Sequence, residues 1–426
     1  MDPMTIGVVA LITVLVLILL RVPIAVSLIL VSVVGIWAIV GERPAMSMLS
    51  TVPYNFAASW TLSSVPMFLF MGYVAYHSGL TRGMFEGARA WLGWMPGGLA
   101  IASLAGAGGF AAVTGSSIAC SAAIGRIAVP EMHRQGYDIR IATGSVAAGG
   151  TIGALIPPSI LLILFGIQAE VSITKLFVGG LIVGLISLAL YIGAVLITYL
   201  LAPNRLPRAQ AGSWQERWDG VREVWPVILM ILVVFGGLFS GLFTATEAGA
   251  VGAVIAVIVG LARRTLSWDA FKESAVDTLL SSGSLFMIAI GANLFTRLVA
   301  LSGLSRWIGS GIEGLGLGVL GILILITLIY LALGMFLEPI GAMLLTLPLF
   351  LPLIEAQGVD VIWFGILLAK LLEIGMITPP VGLNVFVIHS VAKDLVRLEQ
   401  IFAGILPFLA ADLLLVIGML ATHALF

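Results

Sequence analysis

Charge is scarce in this sequence. Only 10% of its 426 residues are Asp, Glu, Lys or Arg, against about 25% in soluble domains. A water-soluble fold of this length could not cover its surface with so few charges. Cytosolic enzymes, nucleic-acid binders and disordered scaffolds are therefore excluded. The 20 basic and 21 acidic residues nearly cancel, so net charge points to no partner. Cysteine is almost missing: Cys120, alone, permits no internal disulfide and no thiolate metal cluster. The four histidines, His77, His133, His389 and His423, are scattered without HxxH-type spacing, which argues against a zinc site. No GxxxxGKS or GxxxxGKT phosphate loop occurs, so the Walker route to ATP hydrolysis is closed. No Ser-His-acid constellation stands out either, and the sequence does not read as an enzyme.

What is present is oil interrupted by helix breakers. Hydrophobic residues make up 60% of the chain, yet it carries 50 glycines and 18 prolines. At roughly 20 residues per crossing, the length holds on the order of a dozen spans. The first apolar run, about 4–20, reads as a span and not as a secretory leader. A second run, 24–40, follows it with no small-residue cleavage site between. Residues 42–62 are more polar and aromatic and read as an interfacial helix or arm. Another span covers 64–79, followed by a polar stretch, 81–96, with Arg82, Glu86 and Arg89. The longest polar stretch, 203–224, holds Arg205, Arg208, Arg217 and Arg222. A second basic loop holds Arg263, Arg264 and Lys272. Two spans, 225–242 and 246–262, separate these loops, so both lie on one side, which the positive-inside rule makes cytoplasmic.

The chain also repeats itself. A shift of 222 positions carries Pro130 onto Pro352, Gln135-Gly136 onto Gln357-Gly358, and Asp138 onto Asp360. It also carries Ile152-Gly153 onto Ile374-Gly375, and Pro157-Pro158 onto Pro379-Pro380. A shift of 224 carries Ser78-Gly79-Leu80 and Arg82 onto Ser302-Gly303-Leu304 and Arg306. The matches are mostly glycine, proline and polar residues, so shared oiliness does not explain them. The expected organisation is a first repeat over 1–202, a cytoplasmic linker over 203–224 and a second repeat over 225–426. Each repeat would hold a re-entrant helical hairpin (about 99–132 and 318–355) and a broken helix (about 139–168 and 361–391). Arg21 falls on the cytoplasmic side, whereas its counterpart, the turn near Gly241, faces the other way. The repeats are therefore expected to be inverted, as in secondary transporters whose site lies where the repeats meet.

The breakers fall at corresponding places. Thr114-Gly115-Ser116-Ser117 interrupts an apolar helix and reads as a hairpin tip. Further on, Pro157-Pro158 breaks a second helix, because proline lacks an amide donor and disfavours helix in the residue before it. Carbonyls near Gly153, Ile156 and Pro158 would lose their helical partners and need a cation, water or protein donor. With the hydroxyls of Thr114 and Ser116 they would form a hard-oxygen site suited to Na⁺. Helix N-termini at the same break would attract an anion. The competing reading is that Thr114, Ser116 and Ser117 only cement close helix packing. In the second half, Glu338-Pro339 falls where the first has Ser116-Ser117. Thr378-Pro379-Pro380 repeats the break, and Asn384 follows. A carboxylate such as Glu338 in an apolar stretch is usually functional; the alternative is a tip exposed to water.

Other polar residues have plainer readings. Thr244 and Glu247 match a capping box. Arg126 and Glu131 fall at the end of the first hairpin. Lys370 and Glu373, three apart, are expected to pair with each other. For Arg297, near Asn293, two readings stand: a partner for a substrate carboxylate, or a side chain snorkelling to the interface.

The segments TGSS, GRIAVPEMHRQGYD (Gly125 to Asp138), GALIPPS, FTATEAGAVG and ITPPVGLN resemble the large membrane subunit of tripartite ATP-independent periplasmic (TRAP) transporters, the DctM family. The resemblance covers essentially the whole chain. It implies an all-α polytopic protein of the bacterial inner membrane. A scaffold and a mobile transport domain carrying both hairpins would work as an elevator. It implies sodium-coupled import of organic acids: dicarboxylates, sialic acids or sugar acids. The implied partners are a periplasmic substrate-binding protein and a small membrane subunit of about four spans. Two Na⁺ sites are implied, with no organic cofactor: one at Thr114, Ser116, Gly153, Ile156 and Pro158, the other at Gly334, Gly375, Thr378 and Val381. The substrate is implied near Ser116, Ser117, Ser159, Glu338 and Asn384. Two rival readings remain at this stage: a stand-alone sodium–dicarboxylate or anion symporter of related fold, and a membrane scaffold that transports nothing.

Overall fold

A computed structural model of the chain describes residues 2–207 and 213–423. Among these residues every regular element is a helix. The chain opens with α1 (Pro3–Leu19), α2 (Ile24–Val40), α3 (Glu42–Ala57), α4 (Ser64–His77) and α5 (Leu80–Leu92). Then come α6 (Gly98–Thr114), α7 (Ser117–Arg134), α8 (Ile139–Thr151), α9 (Ile160–Gln168) and α10 (Ile173–Leu201). Next are α11 (Trp214–Phe239), α12 (Ala245–Ala262), α13 (Trp268–Ser302) and α14 (Leu304–Glu313). The last five are α15 (Val319–Gly334), α16 (Pro339–Ala356), α17 (Val361–Gly375), α18 (Leu383–Ala392) and α19 (Leu398–Ala421).

Six of the described helices, α10, α11, α12, α13, α16 and α19, are long and apolar enough to cross a membrane. The pair α3–α4, bent by 57°, would make a seventh span. Helices are the expected solution, since each backbone group in hydrocarbon must find its partner within the segment. The surface fits that solvent. Leu200, Leu201, Leu232, Leu242, Leu279 and Ile417 are exposed, as lipid-facing side chains would be, and so are Trp60, Trp94, Trp214 and Trp268. Tryptophans of this kind favour the membrane–water interface.

One boundary differs from the sequence reading. Residues 214–224, expected in the linker, are the first turns of α11. Ser213 caps this helix: its hydroxyl accepts the Glu216 amide at 3.2 Å, and the Glu216 carboxylate accepts the Ser213 amide at 2.8 Å. That reciprocal pair satisfies two orphan donors and starts the helix before its apolar part. Arg208, also expected in the linker, lies outside the described residues. Thr244 and Glu247 form a capping box on α12, as their spacing suggests.

The helices that carry breaks are the buried ones. In α8, the run Ile141–Thr151 is buried throughout, and so is Trp363–Gly375 in α17. The packing is reciprocal between the two halves of the chain. Helix α13 lies on α2 while α12 lies on α4; α18 lies on α7 while α9 lies on α16; α19 lies on α8 while α10 lies on α17. At the α8–α19 contact, a Cβ on Gly144 or Gly404 would run into backbone of the other helix. Small residues at such crossings let backbones approach where lipid offers no hydrophobic drive between helices.

A buried polar network ties this centre together. Lys370 does not pair with Glu373: its ammonium lies 2.6 Å from Asp412, and both side chains are fully buried. The reason is the side of α17 that each residue faces. Lys370 meets α10 and α19, where Tyr191 donates to Asp412 at 2.8 Å and shares a 3.0 Å hydrogen bond with Thr151. The Lys370 ammonium also sits 5.3 Å from the centre of the Tyr191 ring. Removing one partner of a buried pair strands the other charge and costs about 3–5 kcal/mol, whereas replacing both by apolar residues is often neutral. Lys370→Met is therefore expected to lower the apparent Tm of the purified subunit strongly. Lys370→Met with Asp412→Leu should recover most of the loss; a double variant as unstable as the single one would contradict the pairing.

Candidate functional site

Helices α6 and α7 form a hairpin whose tip is Gly115-Ser116. Thr114 ends α6, with its hydroxyl donating to the Phe110 carbonyl at 3.1 Å. Gly115 has φ +60°, a left-handed conformation that a side chain resists. A Cβ there would also overlap the Pro158 carbonyl oxygen. Glycine thus lets the tip rest directly on the break between α8 and α9. Ser116 caps α7, accepting the Ala119 amide at 3.4 Å. Gly153 lies against the Ser116 backbone, where an added Cβ would come within 3.2 Å. The peptide bond between Pro157 and Pro158 is cis, as is that between Pro379 and Pro380.

The freed oxygens are the chemical content of this break. Among the described residues, no hydrogen bond reaches the carbonyls of Gly153, Ile156 or Pro158. The Ala154 carbonyl is served by the Ser159 hydroxyl at 2.6 Å. Buried carbonyls without donors are rare. The Pro158 carbonyl oxygen and the Gly153 backbone lie directly against the Gly115–Ser116 tip. Neutral oxygens of this kind fit a hard monovalent cation, and nothing in the set suits a thiophilic metal.

The second half builds a related but unequal arrangement. Gly334 at the end of α15 and Gly375 at the end of α17 pack backbone to backbone; a Cβ on Gly375 would overlap Gly334, and one on Gly334 would be tight at 3.1 Å. The Gly334 and Val381 carbonyls receive no hydrogen bond among the described residues, while the Gly375 carbonyl accepts the Thr378 amide at 3.1 Å. The Thr378 hydroxyl donates to Ile374 at 2.6 Å. Pro157 and Pro158 are buried, whereas Pro379 and Pro380 are exposed. Glu338 caps α16, accepting the Gly341 amide at 2.9 Å.

A cavity of about 800 Å³ lies beside the first tip. Thr114, Ser116, Ser117, Glu338 and Glu373 line it from one side. From the other come the start of α2, Tyr73 and Tyr76 of α4, and Ser281 and Ser284 of α13. Tyr73 shares a 2.6 Å hydrogen bond with Ser281. The Ser117 hydroxyl donates to Glu373 at 2.6 Å, joining the first hairpin to α17 of the other half. Of the substrate residues implied by the sequence, Ser116, Ser117 and Glu338 border this cavity, while Ser159 and Asn384 do not. Ser159 caps α9. Asn384 is fully buried, and neither side-chain polar atom has a partner among the described residues. Arg297 is exposed and away from the cavity.

Sequence reasoning passes over Tyr73, Tyr76, Tyr191 and Asp412, and gives Glu373 only as a partner for Lys370. Asp412 carries a usable signal, an acid inside a 24-residue apolar helix. The tyrosines carry none, since an aromatic in an oily helix looks like packing.

The tip contact has a direct test. Gly136, with φ +79° and no atom closer than 3.8 Å to an added Cβ, shares the conformation of Gly115 without its overlap. Gly136→Ala should cost about 1–2 kcal/mol, the left-handed penalty alone. Gly115→Ala should cost clearly more in thermal unfolding of the purified subunit. Equal losses would mean that the tip does not rest on the break.

The family match and the relatives by sequence agree on one family. Residues 11–425 match the family described as the tripartite ATP-independent periplasmic transporter, DctM component. The chain is 33% identical over 419 residues to the C4-dicarboxylate TRAP transporter large permease protein DctM of Vibrio cholerae, covering 93% of this chain and 91% of that one. It is 31% identical to the isethionate TRAP transporter permease protein DctMQ of Oleidesulfovibrio alaskensis, covering 94% of this chain and 62% of that longer protein. Two solved transporters share the fold at 14% identity and a TM-score of 0.60. They are YdaH of Alcanivorax borkumensis, covering 90% of each chain, and MtrF of Neisseria gonorrhoeae, covering 99% of this chain and 95% of that one. With its helices, its broken core and its matched length, the chain belongs to the DctM family and is a large permease subunit of a TRAP transporter, a multi-pass membrane protein.

Proposed function

We propose that this subunit imports organic acids across the bacterial inner membrane, driven by sodium and moving its site as an elevator. The observation that carries the reading is the pairing of a broken helix with a hairpin tip, twice in the chain, with unpartnered carbonyls at each. In the first set, Thr114, Ser116, Gly153, Ile156 and Pro158 would hold one Na⁺. In the second, Gly334, Gly375, Thr378 and Val381 would hold another. Sodium bound there would satisfy oxygens that hydrocarbon cannot.

The reciprocal packing of α2, α4, α7, α8 and α17 on second-half and first-half partners supports two inverted repeats, 1–202 and 225–426. On this reading α1–α5 and α11–α14 form the scaffold, and α6–α10 and α15–α19 form the moving unit. The cavity sits between these groups. Its scaffold wall uses the start of α2, just after Arg21, the end of α4 and the middle turns of α13. With Arg21 on the cytoplasmic side, the cavity opens inward. Relatives named for C4-dicarboxylates, sialic acid and 2,3-diketo-L-gulonate support an organic acid as cargo. The DctMQ relative supports a small membrane partner, here of about four spans. A periplasmic binding protein would deliver the substrate.

The test is uptake into proteoliposomes holding this chain and its small subunit, with the binding protein outside and an inward sodium gradient. Uptake should require all three components. Thr114→Ala and Thr378→Ala should each raise the sodium concentration needed for half-maximal uptake by about ten-fold, the loss of one oxygen ligand at roughly 1.4 kcal/mol. Uptake by this chain alone would favour the stand-alone symporter. Unchanged sodium dependence in both variants would remove the proposed ion sites.

A further inference from the structure

We infer that a second cavity, between α5 and α7, binds the phosphate group of an anion at the cytoplasmic face of the membrane. It measures about 410 Å³. Arg82, Glu86 and Arg89 line it from α5, and Arg126, Glu131 and Arg134 from α7. Positions 82, 86 and 89 share one face of α5, and positions 126, 130 and 134 share one face of α7.

Two carboxylates cannot serve four guanidiniums. Arg82 is committed to Glu86 at 2.7 Å. Arg89 and Arg134 share Glu131, at 3.4 Å and 3.2 Å, and Glu131 also accepts the Gln135 amide group at 3.3 Å. The Arg134 Nε donates to the Pro130 carbonyl at 3.4 Å. Arg126 has neither an ion pair nor a hydrogen bond among the described residues. The cavity is left with more positive than negative charge, and guanidiniums pair well with phosphate oxygens, two N–H donors at a time.

The fold does not need these arginines. The second half builds the same helix pair as α14 on α16. The shifts of 222 and 224 that relate the halves carry Arg126 onto Pro348, Glu131 onto Leu353, Arg134 onto Ala356 and Arg89 onto Glu313. Of the four, Arg82 alone meets an arginine, Arg306. The positive-inside bias sets the side on which arginines fall; it does not gather four of them around one space.

The surroundings point to lipid. Helix α5 packs on α11, and the Trp91 indole donates to the Arg217 carbonyl at 3.3 Å, on the side of the basic loops. Trp91 and Trp94, near the end of α5, are exposed, as tryptophans at a membrane–water interface are. Anionic lipids of the cytoplasmic leaflet present their phosphates at that level, and basic pockets between helices suit such headgroups. A soluble phosphate ester offers the same oxygens. Either would bridge α5 and α7, which belong to different parts of the elevator proposed above, although binding itself needs no transport.

Arg126 provides the test, because its removal breaks no ion pair of the protein. The complex of this chain and its small subunit is purified in phosphatidylcholine micelles. Thermal unfolding is followed as phosphatidylglycerol, glycerol 3-phosphate or inorganic phosphate is added, and the stabilisation gives an apparent Kd for each. Phosphatidylglycerol should stabilise the complex. Arg126→Gln should weaken its binding about ten-fold, the loss of one charge-assisted hydrogen bond. The unfolding temperature of the variant in phosphatidylcholine alone reports its folding. Arg264→Gln, a change at an exposed arginine of the basic loop, should leave binding intact. Stabilisation by the soluble phosphates alone, lost in Arg126→Gln, upholds the phosphate site and makes its ligand cytoplasmic instead of lipid. Stabilisation by none of the three overturns the inference. So does stabilisation that Arg126→Gln reduces no more than Arg264→Gln does.

Discussion

A backbone carbonyl inside a bilayer must have a partner, and the centre of this molecule depends on that rule. Long helices such as α10 and α19 meet it by continuing. At Pro157-Pro158 and Pro379-Pro380 the chain stops meeting it, because proline removes the donor. The first of these stops is kept away from lipid by position. It is buried under the Gly115 tip, and the run Ile141–Thr151 of α8 leading to it is buried throughout. The outer helices, with their exposed leucines, exist to make an interior where broken backbone can be tolerated.

The same interior also accommodates charge. Lys370 and Asp412 meet where α17 and α19 lie beside the interior of α10, with Tyr191 and Thr151 completing the set. The lipid-facing side of a helix could not hold such a group. The pair fixes how α17 is turned about its axis, and that turn decides that Glu373 faces the first hairpin and the cavity. A buried ion pair in one place thereby orients a carboxylate in another.

Much of this was legible in the sequence for a simple reason. Glycine and proline have few uses in an apolar helix, so their positions report breaks directly. The spans α1 and α2 follow their apolar runs to within a residue or two, and the tip falls at Gly115. What was not legible depends on rotation and on distant partners. Spacing put Lys370 and Glu373 on neighbouring turns, but their partners come from residues 412 and 117. Ser159 and Asn384 lie near the breaks in sequence yet point away from the cavity, one as a cap and one into a buried site of its own. The beginning of α11 was hidden because its first turns are polar, and only the Ser213–Glu216 cap marks them.

The Ser117–Glu373 hydrogen bond has a mechanical consequence. It fastens the tip of a first-half hairpin to a second-half helix at 2.6 Å. A hydrogen bond to a buried carboxylate is worth about 1.5–3 kcal/mol. Swinging the hairpin outward by itself would forfeit that bond and leave an acid bare. Sliding both halves together would leave it untouched. The joint therefore couples the first hairpin to α17, so that a displacement of either carries the other with it.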